Sequence, residues 1–487
     1  MEKEDILKER DRIIRQIKEF VPLFAPFFDL DITVAEYSHR LYQFKVHPLH
    51  LKRQTLVKNK IGSILKKLWG EDYANQLKVD FGDKLAFNIV DHHMVLNHTL
   101  LIGSNVISNV DKFFKKEKQP AIIVISSGDV PPNNYFSKSG FQLKNKQVPL
   151  FSVSERETSS NFLPKREFNV VERLKITKRW HTFNKLEQEF LTALDARINS
   201  FDFSRCQNYN DQISVIVKQT WPWLFENKLR STLPELLYIT QEELTAECLI
   251  DLLKEDNFLS QTLFNPELRQ KVLENFRGIV VAWREDQQKG THFFWRKHPN
   301  KPTSLRMYVQ DGQLVPVNPR FTCLSVALEK NTIIDLLKGR EIYPSLFMIF
   351  GVLNFYAGVK PLTGYGSTVY LELIRQAWLK SLKDTEFKED SEAIKSVDAT
   401  GFIGGIPIFF GREEDKIKTL FAADLFYQGG AKEDYLKKIF NMKFNELVSV
   451  AAPDLYDYFS QKYITEEKKI KKQINLDDLA NITFDYL

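Results

Sequence analysis

Leu85-Ala-Phe-Asn-Ile-Val90 and Ala121-Ile-Ile-Val-Ile125 are the two stretches on which the reading of the fold turns. Each is an apolar run of strand length, and the second is β-branched and bounded by Pro120 and Gly128. Between them, Thr99 to Phe114 has helical periodicity, with Asn97 placed to cap it and Lys115-Lys116 at its end. Strand, helix and strand of these lengths predict a βαβ unit, and therefore two parallel strands joined by a right-handed crossover.

Outward from this unit the pattern changes in both directions. Residues 1–80 read as helical: Ile6, Ile13, Ile14, Ile17 and Val21 recur at helical spacing until Pro22 and Pro26 break the run. Leu51 to Leu77 form a second amphipathic stretch, with Lys58, Lys60, Lys66 and Lys67 on its solvated face. Residues 81–382 read as an α/β core carrying a helical insertion at 181–275. Ile279 to Trp283 has strand character. His292 to Trp295 and Leu305 to Val309 follow, and Asp311-Gly312 supplies a turn that predicts an antiparallel hairpin. Ser345 to Val359 reads as a buried segment, and Thr368 to Leu382 as a helix. Residues 383–400 look like a charged linker, and 431–487 are again helical. The fold class expected is α/β: a Rossmann-like parallel sheet core with an antiparallel hairpin and extensive helical additions.

A chain of 487 residues can bury a sizeable core, and 43% apolar with 27% charged residues excludes wholesale disorder. The net charge of +5 arises from 68 basic and 63 acidic residues, too slight a bias for a nucleic-acid footprint. The three cysteines, Cys206, Cys248 and Cys323, lack the spacing of a zinc or redox pair. The charged start, Met1-Glu-Lys-Glu-Asp, shows no signal-peptide pattern, so a cytoplasmic protein with no membrane partner is expected.

Three of nine histidines, His92, His93 and His98, fall within seven residues, together with Asp91 and Asn97, where the first strand ends. In a parallel sheet the carboxyl end of the second strand, Ser126-Ser-Gly-Asp129, lies on the same edge. Ligands of open α/β sheets bind there, near helix N-termini that favour anions. Asp91, His92, His93 and His98 are thus candidate catalytic residues, by proton transfer or phosphate contact. Asn97, Ser126, Ser127, Asp129, Asn133 and Asn134 are candidate ligand-binding residues, set against a structural reading in which the cluster is a polar knot. Gly364-Tyr-Gly-Ser367, before a helix, adds Gly364, Gly366 and Ser367 to that set. It lacks the Gly-Lys-Ser/Thr ending of a P-loop. The same Asp91, His92, His93 and His98 would form the divalent-metal site of an alternative hydrolase.

Two resemblances bear on these residues. Val90-Asp-His-His-Met-Val-Leu-Asn-His98 with its helix, Ile122 to Asp129, and Gly364-Tyr-Gly-Ser367 with Tyr370 resemble, in order, features of the cysteine-adding enzymes of bacillithiol synthesis. That likeness spans about residues 80 to 380 and implies a ligase-like protein with a nucleotidyltransferase-like core; His92-His93 replaces that family's glutamine pair. Ile89-Val-Asp-His-His93 resembles the Asp-His-His motif of the DHH phosphoesterases, which implies bound manganese or magnesium. Residues 1–84 lack that family's earlier His-x-Asp-x-Asp loop.

The function expected is therefore a ligase- or transferase-type enzyme acting on a small anionic metabolite, with a nucleotide as its candidate cofactor. The alternatives are a metal-dependent hydrolase or phosphoesterase and a non-catalytic binding or scaffold protein. The C-terminal helices are the candidate surface for a homodimer, and no nucleic-acid partner is expected.

Overall fold

Successive side chains of a strand point to opposite faces, so an unbroken apolar run marks a strand covered on both sides. The computed structural model describes residues 2–77, 81–82, 84–134, 136, 139–151, 158–413 and 416–484. In it Ile122 and Val124 enter one hydrophobic core, and Ile123 and Ile125 another. Leu236 and Tyr238 divide from Leu237 and Ile239 in the same way.

The strands that position the site are β1 (Ala86–Asn88), β2 (Ile122–Ser126) and β3 (Leu236–Thr240). A second set follows: β4 (Phe294–Lys297), β5 (Ser304–Gln310), β6 (Gln313–Pro316), β7 (Val326–Ala327) and β8 (Ile342–Pro344). The last two are β9 (Lys360–Gly364) and β10 (Gly401–Gly404). The first sheet is all parallel, in the order β10-β9-β1-β2-β3. The chain moves from β1 outward to β3 and then returns to the other side of β1 for β9 and β10.

Helices α1 (Thr99–Ile107) and α2 (Tyr209–Thr220), which link β1 to β2 and β2 to β3, contribute Leu101, Ile102, Ile213 and Ile216 to one core. Helices α3 (Gln241–Leu252) and α4 (Ser367–Ser381) contribute Leu244, Leu249, Leu371 and Ile374 to the other. Since β9 to β10 runs across the sheet in the opposite direction, its helix must take the opposite face for all crossovers to share one hand. The sheet is doubly wound, with its topological switch between β1 and β9. This is the Rossmann-like core that the sequence predicts.

The hairpin at Asp311-Gly312 is also present, with φ of 49° and 75° at its two turn residues, as a type I′ turn demands. It belongs to a five-stranded antiparallel sheet, β7-β6-β5-β4-β8. The helices over residues 1–80 are Lys3–Phe20, Val34–Arg40, Pro48–Trp69 and Glu71–Gln76.

Several elements differ from the sequence reading. The helical span 181–275 contains β3, a strand of the central sheet. Ile279 to Ala282 is turn, and pairing begins only at Trp283. The interval 383–400 holds a helix, Lys388–Lys395, and β10 places a strand of the central sheet beyond residue 382. Helix α1 is capped by His98, whose Nδ1 accepts from the Leu100 amide, and not by Asn97. No described helix is long and apolar enough to cross a membrane.

Candidate functional site

The carboxyl edge begins at Val90. An added Cβ at Gly364 would lie 2.5 Å from Val90 Cγ2, and one at Gly404 would lie 2.6 Å from it. These glycines make room for a side chain of the protein itself. Gly366 is pressed in the same way by the Tyr458 hydroxyl, and Ser367 Oγ lies 2.5 Å from Tyr370 Oη. The Gly364 turn thus lies at the switch point, packed from within.

Beyond Val90 the chain resumes pairing with the extension of β2. The Ser127 amide donates to Asp91 O (2.9 Å), and the His93 amide to Ser127 O (2.7 Å). Asp91 is fully buried. Its carboxylate accepts from Ser104 Oγ (2.5 Å), Asn105 Nδ2 (2.7 Å) and the Tyr238 hydroxyl. Burial raises its pKa to about 6 against the pull of these donors. His93 is 1% exposed, with Nδ1 2.7 Å from Ser126 Oγ and Nε2 2.8 Å from Asn210 O. A carbonyl can only accept, so Nε2 carries the proton, Nδ1 accepts from the Ser126 hydroxyl, and burial holds the ring neutral, with pKa lowered to about 4. Asp91, His93 and Ser126 therefore knit α1, α2 and β1–β3 together.

His92 differs from its neighbours. It pairs with Ser127 across the sheet, its ring meets Phe136 edge-on, and its buried Nδ1 has no hydrogen-bond partner. Burial lowers its pKa to about 4. His98 lies between Phe136 and Phe421. Asn97 ties two loops: its Nδ2 donates to Phe136 O (3.0 Å), and its Oδ1 accepts from the Gln142 amide (2.7 Å). Asn134 closes its own turn, donating to Pro131 O and accepting from the Phe136 amide. Asn133 is half-buried in the same loop. Among the described residues no three His, Cys, Asp or Glu side chains converge as a metal-binding group. The residues after β1 that would form one diverge, Asp91 toward α1 and His93 toward α2.

The Ser127-Gly-Asp129 turn has a different partner, Glu242, at the start of α3. The Glu242 carboxylate accepts from the amides of Gly128 (2.8 Å) and Asp129 (3.2 Å) and from Ser127 Oγ (3.3 Å). Gly128 is required here, because a Cβ would collide with Asn161 Oδ1 and lie 3.1 Å from Glu242 Oε2. Glu242 is 1% exposed. Burial is the main cause that pushes its pKa up to about 7, and the charge of nearby Asp129 adds to it. Burial raises Asp129 as well. Ser304 on β5 donates to Asp129 Oδ1 (3.3 Å), so the antiparallel sheet closes over the turn.

Between the two sheets lies a cavity of about 140 Å³, lined by Ser127, Asp129, Glu242, Thr291, Trp295 and Ser345 with Ala282, Leu346 and Ile349. Ser345 is 4% exposed and its Oγ has no hydrogen-bond partner. A larger cavity of about 390 Å³ opens at the opposite edge of the parallel sheet. Two of its polar side chains are engaged internally: Tyr42 Oη donates to Ser108 O, and the Asn88 amide to Ser104 and Asn105. The smaller cavity combines ionisable groups, an unpartnered hydroxyl and the edge where parallel sheets bind ligands.

The topology brings Ser127 and Asp129 from the sequence-derived set to this cavity, and it turns Asp91, His93, Ser126 and Asn97 into internal supports. Glu242, Trp295 and Ser345 escape the sequence reading. A signal for Glu242 exists: Leu236-Leu-Tyr-Ile-Thr240 is a strand-length apolar run, and Gln241-Glu-Glu243 follows at a helix start. No family model matches this chain, and no curated protein matches it.

Proposed function

We propose that this chain is a ligase- or transferase-type enzyme that takes a small anionic metabolite into the cavity between its two sheets. Glu242 moves the proton in this reading. The observation that carries it is a single buried carboxyl, held by two backbone amides beside Asp129, with its pKa near neutrality. A carboxyl whose pKa is raised toward neutrality exchanges its proton near the pH of the cell and serves as either acid or base. Ser127 orients it, and Ser345 supplies a free hydroxyl to the bound molecule. His92, neutral and with Nδ1 unpartnered, offers a further contact at the neighbouring strand end. The ordered likeness to the cysteine-adding enzymes of bacillithiol synthesis supports the same reaction class, and a nucleotide fits this reading as the activating co-substrate. The reading puts the activity in the cytoplasm.

The non-catalytic alternative draws on a specific observation too: Asp91 and His93 spend their polar atoms within the fold. A thermal-shift screen of nucleotides and small organic acids separates the two, because a ligand of the native state raises Tm by mass action. The enzyme reading expects at least one nucleotide or acid to raise Tm, and its conversion to be lost in Glu242→Gln. Turnover unchanged in Glu242→Gln, or no stabilising ligand, would remove it.

A further inference from the structure

We infer that the tip of a helical hairpin, at Ile176 and Leu186, docks this chain peripherally on an anionic lipid surface. The helices Val170–Ile176 and Lys185–Asn199 make the hairpin. From Arg173 to Leu186 the chain has five basic residues, Arg173, Lys175, Lys178, Arg179 and Lys185, and no acidic one. Residues 175–179 and 184–186 are all exposed, so the tip protrudes. Ile176 is 71% exposed and Leu186 65%, the highest values among the large apolar side chains of the described residues. Trp180 lies half-buried at the same tip, with Lys175 Nζ 5.8 Å from its ring.

The tip is built rather than frayed. Leu174 and Phe183 are buried and anchor it. The Lys178 amide donates to Lys175 O (3.0 Å) and the Arg179 amide to Leu174 O (2.8 Å), the bond pair that ends a helix through a left-handed residue. That residue is Lys178, at φ 55°, where glycine would sit without strain. Lys146 Nζ donates to Thr182 O (2.7 Å), and Arg179 Nη1 to Gln147 Oε1 (2.8 Å). None of Lys175, Lys178, Arg179 and Lys185 has a carboxylate partner among the described residues. The flanking acids are engaged elsewhere: Glu172 accepts from Asn169, and buried Glu187 is held by Lys144 and Lys146.

Basic residues alone suit any polyanion, and the aliphatic pair narrows the choice. Ile176 and Leu186 gain by leaving water for hydrocarbon, which a nucleic-acid backbone does not offer. A protruding tip also gives a protein partner little area to bury. A bilayer surface yields to such a tip, taking the aliphatic side chains at the headgroup boundary and setting lipid phosphates against the basic residues. The contact is peripheral and needs no spanning helix. It departs from the expectation of no membrane partner and is independent of the chemistry at Glu242.

Co-sedimentation of the full chain with vesicles tests it, using phosphatidylcholine alone and an equimolar mixture of phosphatidylcholine and phosphatidylglycerol. The wild type should sediment with the mixed vesicles and stay in solution with the neutral ones. Ile176→Ser with Leu186→Ser should weaken binding about tenfold to a hundredfold. Lys178→Asn with Lys185→Gln should weaken it about tenfold to thirtyfold, asparagine being tolerant of the left-handed backbone. All four side chains are exposed, so Tm should hold in both variants, and either pair decides the matter if the other does not fold. The inference is overturned if the wild type does not sediment with the mixed vesicles, if it binds neutral vesicles equally, or if either folded variant binds as the wild type does. Retention of a single-stranded RNA by a chain that ignores vesicles would assign the basic residues to nucleic acid and overturn it too.

Discussion

Glu242→Gln keeps the shape of the side chain and removes its ionisation, so it isolates the proton on which the account depends. In the folded chain Glu242 keeps its proton up to about pH 7, whereas in the unfolded chain it releases it near its ordinary value of 4.5. Between those values folding takes up a proton, so this residue's contribution to stability falls as pH rises through the window. At about 1.4 kcal/mol per pH unit, the full drop is about 3 kcal/mol. The glutamine has no such slope, although it places an amide group toward the donors of Gly128 and Asp129 and loses one or two hydrogen bonds at every pH. Asp91, whose raised pKa imposes its own slope, is present in both proteins and cancels in the difference. Denaturant unfolding of both proteins from pH 4.5 to 8 should therefore show the variant less stable at the acid end. It should gain about 3 kcal/mol relative to wild type by the alkaline end. A difference that stays flat across the series would mean that Glu242 ionises as it does in water, and the reasoning would fail.

Replacing Asp91 by Ala leaves the Tyr238 hydroxyl buried without its acceptor, while Ser104 and Asn105 fall back on the Leu101 carbonyl, and should cost about 2–4 kcal/mol by chemical denaturation; Asp91→Asn should cost clearly less. His93→Ala removes the links to Ser126 and Asn210 and should lower stability by about 2–4 kcal/mol with the Glu242 slope preserved. Gly364→Ala should destabilise by about 1–3 kcal/mol through contact with Val90, and Val90→Ala in the same chain should recover part of that loss. Additive losses in that pair would show that the two residues do not touch.

The parallel core was legible because β1 and β2 are buried on both faces, which writes a continuous apolar run into the sequence. The antiparallel turn was legible because Asp311-Gly312 supplies two residues that tolerate positive φ. Strand β3 was not, since Leu236-Leu-Tyr-Ile-Thr240 sits among helices and leucine favours them. Strand β10, Gly401-Phe-Ile-Gly404, has glycine at both ends: one lies against Pro361 and Leu362, the other against Val90, and glycine depresses any strand signal. At the site, sequence order alone placed Ser127 and Asp129 on the carboxyl edge. It could not tell that Asp91 and His93 turn inward, because that depends on α1 and α2 offering Ser104, Asn105 and Asn210 at the right heights. Glu242 joins the turn after β2 only once β3 is known to lie beside β2.

The most direct test is to incubate wild type and Glu242→Gln with a small-molecule extract and nucleotides, following every species by mass spectrometry. The account predicts at least one anionic metabolite consumed by the wild type and untouched by the variant, with a product that appears in step. An extract left unchanged by the wild type, or changed equally by both proteins, would contradict it.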